Sequence, residues 1–362
     1  MPSAEATPLV SIVVVTVAEY TLTAACLRSL REQDYPRTET ILVCNGSPDD
    51  VVQRLRREFP ECSIGVIPRN RGFAGGYNEG LRKATGAYVA IINDDAIAEP
   101  SWIREMLAVA RATDGVGIVG CSVVQADAPT VLDSQGLGIG LDGMSRQVNR
   151  GVGLDRAPSL PGLILPSGCA CMFSADALRD VGLFDETFFA YCEDTDLGLR
   201  MLWAGYGLVV APRAVVRHHY SMTSGKHSWR KVFWVERNHF WVALKSFPIA
   251  LLLGVPIFTL QRYTLQARAL WRQEGELPEY TRSAGLAPFI GSMAAAYVSF
   301  LGGVPRLLAE RRRVMRSRRV STWKMTRLIA RSRMSLDEIV AGRSASQPAN
   351  AAPRRKIGRA HV

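Results

Sequence analysis

The sequence predicts an α/β fold, with a mixed and mostly parallel sheet covered by helices on both faces, followed by a C-terminal helical region. Short Val/Ile/Leu-rich runs alternate with helix-like segments through the first part of the chain, which is typical of parallel strands buried on both faces. Beyond residue 230, long apolar stretches replace this alternation. We therefore predict an α/β domain over residues 1–230, a helical region over 231–340 and a disordered tail over 341–362.

The elements of the α/β domain follow from its apolar periodicity. Apolar runs of strand length fall at residues 10–17, 39–44, 64–68 and 88–92. Segments with helical spacing separate and follow them at residues 22–33, 51–59, 76–84 and 102–111. In such sheets ligands bind outside the carboxyl ends of the strands. Polar side chains follow these ends at Asn45, Asn70 and Asn93.

The second half of this domain has a weaker pattern. Residues 125–162 are rich in Gly and Asp, and predict either an irregular excursion over the site or a plain surface insertion. A strand-like run follows at 163–174, then a helix at 194–206 with Asp at its start and Gly near its end. A strand at 209–216 leads to His218.

The net charge of +11 is concentrated in one segment. Residues 306–333 contain eleven Lys and Arg and one acidic residue, and they follow an uncharged 22-residue stretch at 284–305. That stretch is long enough to cross the roughly 30 Å core of a bilayer. A basic segment beside an apolar one favours an anionic membrane surface, so we predict a membrane-associated region and no nucleic-acid binding. A solvated helix face and a soluble helical subdomain are the alternatives.

The cysteines and the N-terminus predict a cytoplasmic domain. The seven cysteines lack paired CxxC spacing and stand mostly in apolar surroundings, which predicts reduced thiols in the core. The first apolar run has strand length and no basic segment before it, so no signal peptide is predicted.

Two acidic clusters and a histidine are the candidate metal-binding and catalytic residues. The triplet Asn-Asp-Asp at 93–95 follows a buried strand, and Glu193 and Asp194 begin a helix. Each has a plain explanation, because Asn and Asp form turns and acidic residues stabilise helix N-termini. Together with His218 they would make an oxygen-rich site for Mg²⁺ or Mn²⁺, with one carboxylate of the second cluster as a general base.

A glycine-rich stretch stands between these strands. Residues 70–78, Asn-Arg-Gly-Phe-Ala-Gly-Gly-Tyr-Asn, open a helix after a strand. Glycines there let the backbone approach a phosphate or a sugar, and a helix N-terminus favours negative charge. The stretch has neither Walker nor GxGxxG spacing, so it is weak evidence when taken alone.

These motifs, in this order and spacing, resemble the inverting family 2 glycosyltransferases of the GT-A fold, in particular bacterial rhamnosyltransferase-like members. The resemblance covers roughly residues 9–245 and rests on VSIVVVT (10–16), NGS (45–47), NRGFAGGYN (70–78), NDD (93–95), SGCACM (167–172), GLFDETFF (182–189), EDTDL (193–197) and His218. It implies a GT-A nucleotide-diphospho-sugar transferase of class EC 2.4, acting in cell-wall or polysaccharide biosynthesis. The Glu-Arg-Asn segment at 236–238 and the later basic run resemble that family's membrane-proximal tail.

The resemblance also implies roles for individual residues. Asp194 would deprotonate the acceptor hydroxyl, with Glu193 beside it, and Asp95 and His218 would hold the Mg²⁺ or Mn²⁺ bound to the donor diphosphate. The residues implied in substrate binding are Thr16, Glu19, Asn45, Asn70, Gly72, Phe73, Gly75, Gly76, Asn78, Asn93, Asp94 and Gly168.

The partners implied are a nucleotide diphosphate sugar, with dTDP-rhamnose as the first choice, and a polyprenyl-diphosphate-linked or cell-surface glycan at the cytoplasmic face of the membrane. Cys44 stands where the family usually carries a nucleobase-contacting Asp, and Val17-Ala18 where it often has Tyr-Asn. Because of these departures, UDP-hexose and galactofuranose donors remain alternatives to dTDP-rhamnose. A glycoside hydrolase and a non-catalytic membrane scaffold are the competing hypotheses, and the oligomeric state stays open.

Overall fold

The computed structural model describes residues 7–160, 162–219, 228–273, 277–278, 281–282 and 285–341. The first half contains β1 (Val10–Thr16), α1 (Tyr20–Arg31), β2 (Thr38–Asn45), α2 (Asp49–Glu58), β3 (Ser63–Ile67), α3 (Gly72–Lys83), β4 (Tyr88–Asn93), β5 (Ala96–Ala98) and α4 (Trp102–Arg111). The rest of the α/β domain contains β6 (Val116–Gln125), β7 (Ala128–Ser134), β8 (Leu137–Ile139), β9 (Ser145–Gln147), β10 (Ala170–Ser174), α5 (Ala175–Val181), α6 (Glu193–Trp203) and β11 (Gly207–His218). The helical region contains α7 (Trp229–Ser246), α8 (Ile249–Leu252), α9 (Val255–Arg272), α10 (Leu286–Ser317), α11 (Thr322–Ser332) and α12 (Leu336–Ala341). The tail predicted to be disordered lies, from residue 342 onward, outside the described residues.

Nine strands of the described chain form one sheet in the order β3-β2-β1-β4-β10-β6-β11-β5, with β7 paired to β6. Six of them run in the same direction, whereas β5, β7 and β10 are antiparallel to their neighbours. The predicted mixed, mostly parallel α/β sheet is confirmed. Because β10 enters in the opposite direction between β4 and β6, the residues before it lie where the parallel strands end.

Three apolar cores hold the molecule together. One lies between the sheet and α1, α2 and α4, and includes the fully buried Trp102. The second lies on the opposite face under α3, α5 and α6, and includes Tyr77 and Leu197. The third joins α6 to the helical region, where Trp203 Nε1 donates to Ser246 O over 2.8 Å. The helical region is therefore packed directly on the α/β domain.

Residues 125–162 contain more regular structure than the sequence predicted. They form β7, β8, β9 and a short 3₁₀ helix at Leu154–Arg156, and Leu132 and Ile139 are fully buried. The segment is therefore an excursion packed on the domain, and its interpretation as a plain surface insertion was wrong. Strands β8 and β9 have three residues each, and buried and exposed residues do not alternate along β7, so the segment has no period-two pattern to recognise.

Several predicted boundaries also move. Helix α3 begins four residues before the predicted segment at 76–84, and β10 occupies only the end of the predicted run at 163–174. The apolar stretch at 247–260 forms α8 and the first turns of α9. Residues 286–305 of the uncharged stretch belong to α10, which continues through Pro305 into the basic residues.

Candidate active site

The carboxyl ends of four strands meet at one edge of the sheet. Thr16, Asn45, Asn93 and His218 are the last residues of β1, β2, β4 and β11. The segment before β10 closes this edge, because Asn93 N donates to Cys169 O over 2.9 Å. The structure thus brings the predicted site residues of the first and second halves of the domain to one rim.

Asp95 and His218 face each other at this rim. Asp95 Oδ1 lies 3.3 Å from His218 Nε2, and both side chains are buried. On its other side the ring contacts Asp133, with Nδ1 3.1 Å from Asp133 Oδ2. Burial lowers the pKa of His218, but Cys169, Asp133 and Asp95 together raise it by more, so the pKa lies above its usual range. Asp133 therefore fixes the ring with Nε2 turned toward Asp95.

This pair has the donor chemistry that a divalent cation requires. In the part of the chain that the structure describes, no group of three or more His, Cys, Asp and Glu side chains is arranged to hold a metal ion unaided. Asp95 Oδ1 is buried and accepts no hydrogen bond from the described residues. Its 3.3 Å separation from His218 Nε2 is close to the roughly 3.0 Å between adjacent ligands of an octahedral ion with bonds of about 2.1 Å. Once His218 has released its Nε2 proton, the two residues therefore fit Mg²⁺ or Mn²⁺ that takes its other ligands from a substrate and water.

The other members of the triplet have protein partners. Asn93 Oδ1 accepts from the Tyr77 hydroxyl over 3.1 Å. Asp94 Oδ2 lies 3.4 Å from the Thr23 hydroxyl, which is 2.8 Å from the Thr16 hydroxyl. Burial raises the pKa of Asp94 to about 6, against the opposing effect of the Thr16 hydrogen bond. Beneath the rim these contacts join the end of β4 to α3 through Asn93, and to α1 and β1 through Asp94.

Asp194 stands in the first turn of α6 with its carboxylate oriented by backbone donors. Gly168 N donates to Oδ2 over 2.9 Å, and Thr195 N donates to Oδ1 over 2.7 Å. Burial raises the pKa of Asp194, and these N–H groups oppose that effect. As a whole residue Asp194 is half-buried rather than buried, so part of it is open to a substrate.

Glu193 points into the protein instead. Its side chain is buried, and Oε2 accepts no hydrogen bond from any described residue. Burial, followed by the charge of Asp194, raises the pKa of Glu193 well above its usual range. Of the two predicted carboxylates, Asp194 is the better placed to accept a proton from outside.

The glycine-rich stretch forms the first turns of α3, and two asparagines bind its first N–H groups. Asn45 Oδ1 accepts from Arg71 N over 2.9 Å, and Asn70 Oδ1 accepts from Gly72 N over 2.8 Å. Asn45 Nδ2 also donates to Gly72 O over 2.9 Å. These hydrogen bonds explain why the helix starts at Gly72, because they satisfy backbone donors that a helix start leaves without partners.

The glycines of this turn are required by close packing. Gly72 has φ +72°, and a Cβ there would lie 2.3 Å from Phe189 O. A Cβ on Gly76 would lie 2.7 Å from Val15 Cγ1, and one on Gly75 would lie 2.6 Å from the Arg71 side chain. Packing on β1 and on the segment before Asp194 accounts for them without a ligand.

The remaining predicted binding residues are divided between the rim and the interior. Phe73 lies beside Gly168, where an added Cβ would be 3.0 Å from Phe73 Cζ. Asn78 is buried, donates to Phe184 O over 2.9 Å and accepts from Phe184 N over 3.0 Å. Glu19 is exposed immediately before α1. Asn78 therefore ties α3 to the 182–189 segment.

The backbone leading into Asp194 has an uncommon conformation. Phe189, Tyr191 and Cys192 have φ values of 66°, 69° and 66°. Side chains with a Cβ rarely adopt this region, and each such residue costs on the order of 1–3 kcal/mol unless its surroundings hold it. The strain lies directly before the candidate base.

Two residues of α7 hold this backbone. Asn238 Nδ2 lies 3.1, 2.9 and 2.7 Å from the carbonyl oxygens of Phe188, Ala190 and Tyr191. Arg237 Nε donates to Asn238 Oδ1 over 2.8 Å, and Arg237 Nη2 donates to Phe188 O over 3.0 Å. Residues 236–238 were predicted to begin a membrane-proximal tail, but Arg237 and Asn238 lie against the candidate site.

Comparisons with known proteins agree with this architecture. The sequence profile described as "Glycosyltransferase like family 2" matches residues 7–238, which is more than half of the chain. The chain belongs to this family. The predicted membership of glycosyltransferase family 2 is therefore confirmed, and the matched region is a glycosyltransferase domain of class EC 2.4.

Curated relatives share the domain at moderate identity. The chain is 29% identical over 234 residues to the uncharacterized protein y4gI of Sinorhizobium fredii, which covers 61% of this chain and 25% of that protein. It is 31% identical over 184 residues to the pre-mycofactocin glycosyltransferase of Mycobacterium tuberculosis, which covers 48% of this chain and 36% of that protein. The chain thus spans about a quarter to two fifths of the length of the first curated relatives it matches.

A solved structure shows the same fold. The mannosyltransferase PcManGT of Pyrobaculum calidifontis, solved in complex with GDP-Man and Mn²⁺, superposes with a TM-score of 0.52 over 86% of each chain. The two sequences are 19% identical. At this identity the likeness shows the fold alone, and it confirms the predicted GT-A sheet with a C-terminal helical region.

Proposed function

We propose that this protein is an inverting, metal-dependent transferase that moves a sugar from a nucleotide diphosphate donor to a lipid-linked or cell-surface glycan. One observation carries the proposal: the backbone at 168–169 is bonded to both acidic clusters. Cys169 O accepts from Asn93 N, two residues before Asp95, and Gly168 N donates to Asp194 Oδ2. Asp95 and His218, which could ligate a cation, thus lie at the same rim of the sheet as the Asp194 carboxylate.

In this proposal Asp194 accepts the proton of the acceptor hydroxyl. The hydroxyl oxygen forms a bond to the anomeric carbon while the bond to the diphosphate breaks on the opposite face. Gly168 and Thr195 hold the two carboxylate oxygens in place during this step. Asp95 and His218 would hold Mg²⁺ or Mn²⁺, which when bound neutralises charge on the departing diphosphate.

We propose dTDP-rhamnose as the donor, with UDP-hexose or galactofuranose donors as alternatives. The resemblance to rhamnosyltransferase-like members supports this choice, and the complex of PcManGT with GDP-Man and Mn²⁺ supports a metal-bound nucleotide diphosphate sugar. Cys44 is fully buried behind the rim. Nucleobase contacts must therefore come from other residues than the one at this position.

We also propose that the protein acts at the cytoplasmic face of the membrane on a polyprenyl-diphosphate-linked glycan. Among the described residues, α10 is long and apolar enough to cross a membrane. The basic residues that follow its apolar part suit anionic lipids. This combination supports a membrane-bound acceptor over a soluble one.

The deciding experiment is a panel of nucleotide sugars assayed with Mg²⁺, Mn²⁺ or EDTA. We expect one donor class to be turned over only with metal. Asp194→Asn should lower transfer by about 10²–10⁴-fold, because the base is lost, while calorimetry shows nearly unchanged donor binding. The exposed Asp176→Asn is the matched control. Transfer by Asp194→Asn at the wild-type rate contradicts the assigned base, and no binding of any nucleotide sugar favours a hydrolase or a scaffold.

A further inference from the structure

Helix α9 exposes large apolar side chains and buries an arginine. The exposed side carries Ile257, Leu260 and Trp271, which are 61%, 67% and 84% exposed, interspersed with the exposed polar side chains of Gln261, Thr264 and Arg268. The buried side carries Thr259 and the almost fully buried Arg262. A surface helix of a water-soluble protein usually turns its large apolar side chains inward and its charged ones outward.

Helix α10 extends this apolar surface. Its first twenty residues contain no charged side chain, and Leu286, Ile290, Val298 and Leu301 are between 52% and 71% exposed. The two helices are adjacent, because the hydroxyls of Tyr263 and Tyr297 lie 2.8 Å apart on their inner sides. We call the exposed side chains the apolar face, comprising Ile257, Leu260, Trp271, Leu286, Ile290, Val298 and Leu301.

The inner side of the two helices is ionic. Arg262 Nη2 donates to Glu236 Oε1 over 2.9 Å, and Arg262 Nε donates to Asp142 Oδ2 over 2.6 Å. His239 Nε2 lies 3.1 Å from the same Glu236 oxygen. Charges paired inside and apolar side chains outside are the arrangement that a lipid environment favours. Rotating α9 to hide its apolar side would break these buried ion pairs.

The packing of α10 decides between crossing a bilayer and lying on it. Arg311 Nη1 donates to Leu244 O over 3.0 Å and to Phe247 O over 2.7 Å. The rings of Tyr297 and Phe240 are 5.2 Å apart. Residues 297–311 are therefore attached along α7, which holds the active-site backbone. The part of α10 before them has eleven residues, or about 17 Å of helix, and the bilayer core is about 30 Å thick.

We propose that the apolar face is seated in one leaflet of an anionic bilayer, with α9 and α10 lying along the membrane rather than crossing it. The occupant is inferred from charge: Arg312, Arg313 and Arg316 at the end of α10 are exposed, as are Lys324 and Arg327 of α11. Such residues bind anionic headgroups at the level where an in-plane helix lies. The proposal deepens the proposed function by defining how the enzyme meets a membrane-bound acceptor.

Flotation with vesicles of phosphatidylcholine, with and without phosphatidylglycerol, tests the surface. The wild-type chain should float with the anionic vesicles, and Ile257→Asp with Leu260→Asp should weaken partition by at least about tenfold. Both side chains are exposed, so the double variant keeps its core. Val66→Asp, at a 45% exposed position on β3, is the matched control and should float normally.

Flotation of the double variant at the wild-type level would overturn the proposed membrane contact, and so would the absence of flotation by the wild type. A wild-type dimer that the double variant loses, while neither protein floats, would also overturn it. Donor turnover in detergent is measured on the same samples. Flotation without turnover contradicts the proposed function alone, and turnover without flotation contradicts this inference alone.

Labelling with a membrane-impermeant maleimide tests the orientation. Arg282→Cys and Ser317→Cys flank α10 at exposed positions, and a Cys62→Ser background removes the half-buried native thiol. When the protein is added outside the vesicles, both introduced cysteines should react from outside. Protection of Arg282→Cys beside a reactive Ser317→Cys would show a crossing helix and overturn the in-plane arrangement.

Discussion

Asp133 orients the histidine on which the candidate cation site depends. Its Oδ2 lies 3.1 Å from His218 Nδ1, which leaves Nε2 facing Asp95. Asp133 was not among the predicted site residues, because it is one of several Asp residues in the 125–162 segment and no motif or strand end distinguishes it there. The contact forms only when β7 pairs with β6 beside β11.

Replacing this carboxylate should weaken metal binding. We expect Asp133→Asn to lower the affinity for Mn²⁺ by about 10–100-fold, since a residue that orients a metal-bound histidine typically contributes this much. Calorimetry of Mn²⁺ binding in the presence of a nucleoside diphosphate measures the effect. Asp127→Asn, exposed in the preceding turn, should bind like the wild type. Equal Mn²⁺ affinities of the two variants would show that Asp133 does not support the metal site.

Asp194, the proposed base, has a raised pKa, and this predicts how transfer should depend on pH. Burial raises the pKa of this carboxyl, so it takes up a proton at a higher pH than an ordinary aspartate, whose pKa is about 3.9. A base must be ionised to act, so kcat/KM should fall about tenfold per pH unit below that raised pKa. A pH–rate profile that stays flat down to pH 4 would contradict this assignment.

Helix α7 connects the helical region to the backbone before Asp194. The left-handed residues at 189, 191 and 192 are held by Asn238, which is held in turn by Arg237. A local sequence pattern does not predict this arrangement, because the preference of Phe, Tyr and Cys is against positive φ and a distant helix overrides it.

Removing this support should impair catalysis more than donor binding. We expect Asn238→Ala to lower kcat by about 10–100-fold with the donor KM nearly unchanged, because a shift of about 1 Å in the base is sufficient for such a loss. Steady-state kinetics with both substrates measure kcat and the donor KM separately. Arg230→Ala, exposed on the same helix, is the control. A parallel change in KM and kcat, or a loss explained by the folded fraction alone, would contradict a positioning role.

The ionic network around Arg262 joins the helical region to the excursion at 125–162. Burial raises the pKa of Glu236, but His239 and Arg262 lower it by more, so the carboxylate is ionised in the folded protein. Asp142, in the excursion, pairs with the same arginine. Ser145 Oγ, three residues later, accepts from the Thr195 hydroxyl beside the candidate base over 2.9 Å.

Breaking this network should destabilise the whole molecule. Arg262→Met leaves two buried carboxylates without their cation, and we expect a loss of about 3–5 kcal/mol in the free energy of unfolding. Urea denaturation at neutral pH measures it. Arg268→Met, exposed on the same helix, should change stability by less than about 0.5 kcal/mol. A similar result for both variants would show that the buried pairs do not stabilise the fold.

The sequence was sufficient for the α/β fold, the family and the rim residues at strand ends. These features depend on local signals, namely apolar periodicity, glycines at a tight helix start and acidic residues after strands. Each such signal lies within a short contiguous segment of the sequence. The same local signals, taken in their order along the chain, identified Asp95, Asp194 and His218 as candidate site residues.

Only the tertiary structure placed Asp133 behind His218, Arg237 and Asn238 behind the candidate base, and Arg262 of α9 inside while large apolar side chains of this helix are exposed. Each of these contacts joins residues at least 45 positions apart in the sequence. Composition alone left α10 equally compatible with crossing a membrane and with lying on it. Its packing along α7 favours the second arrangement, because the segment that stays free of the domain is shorter than a bilayer core.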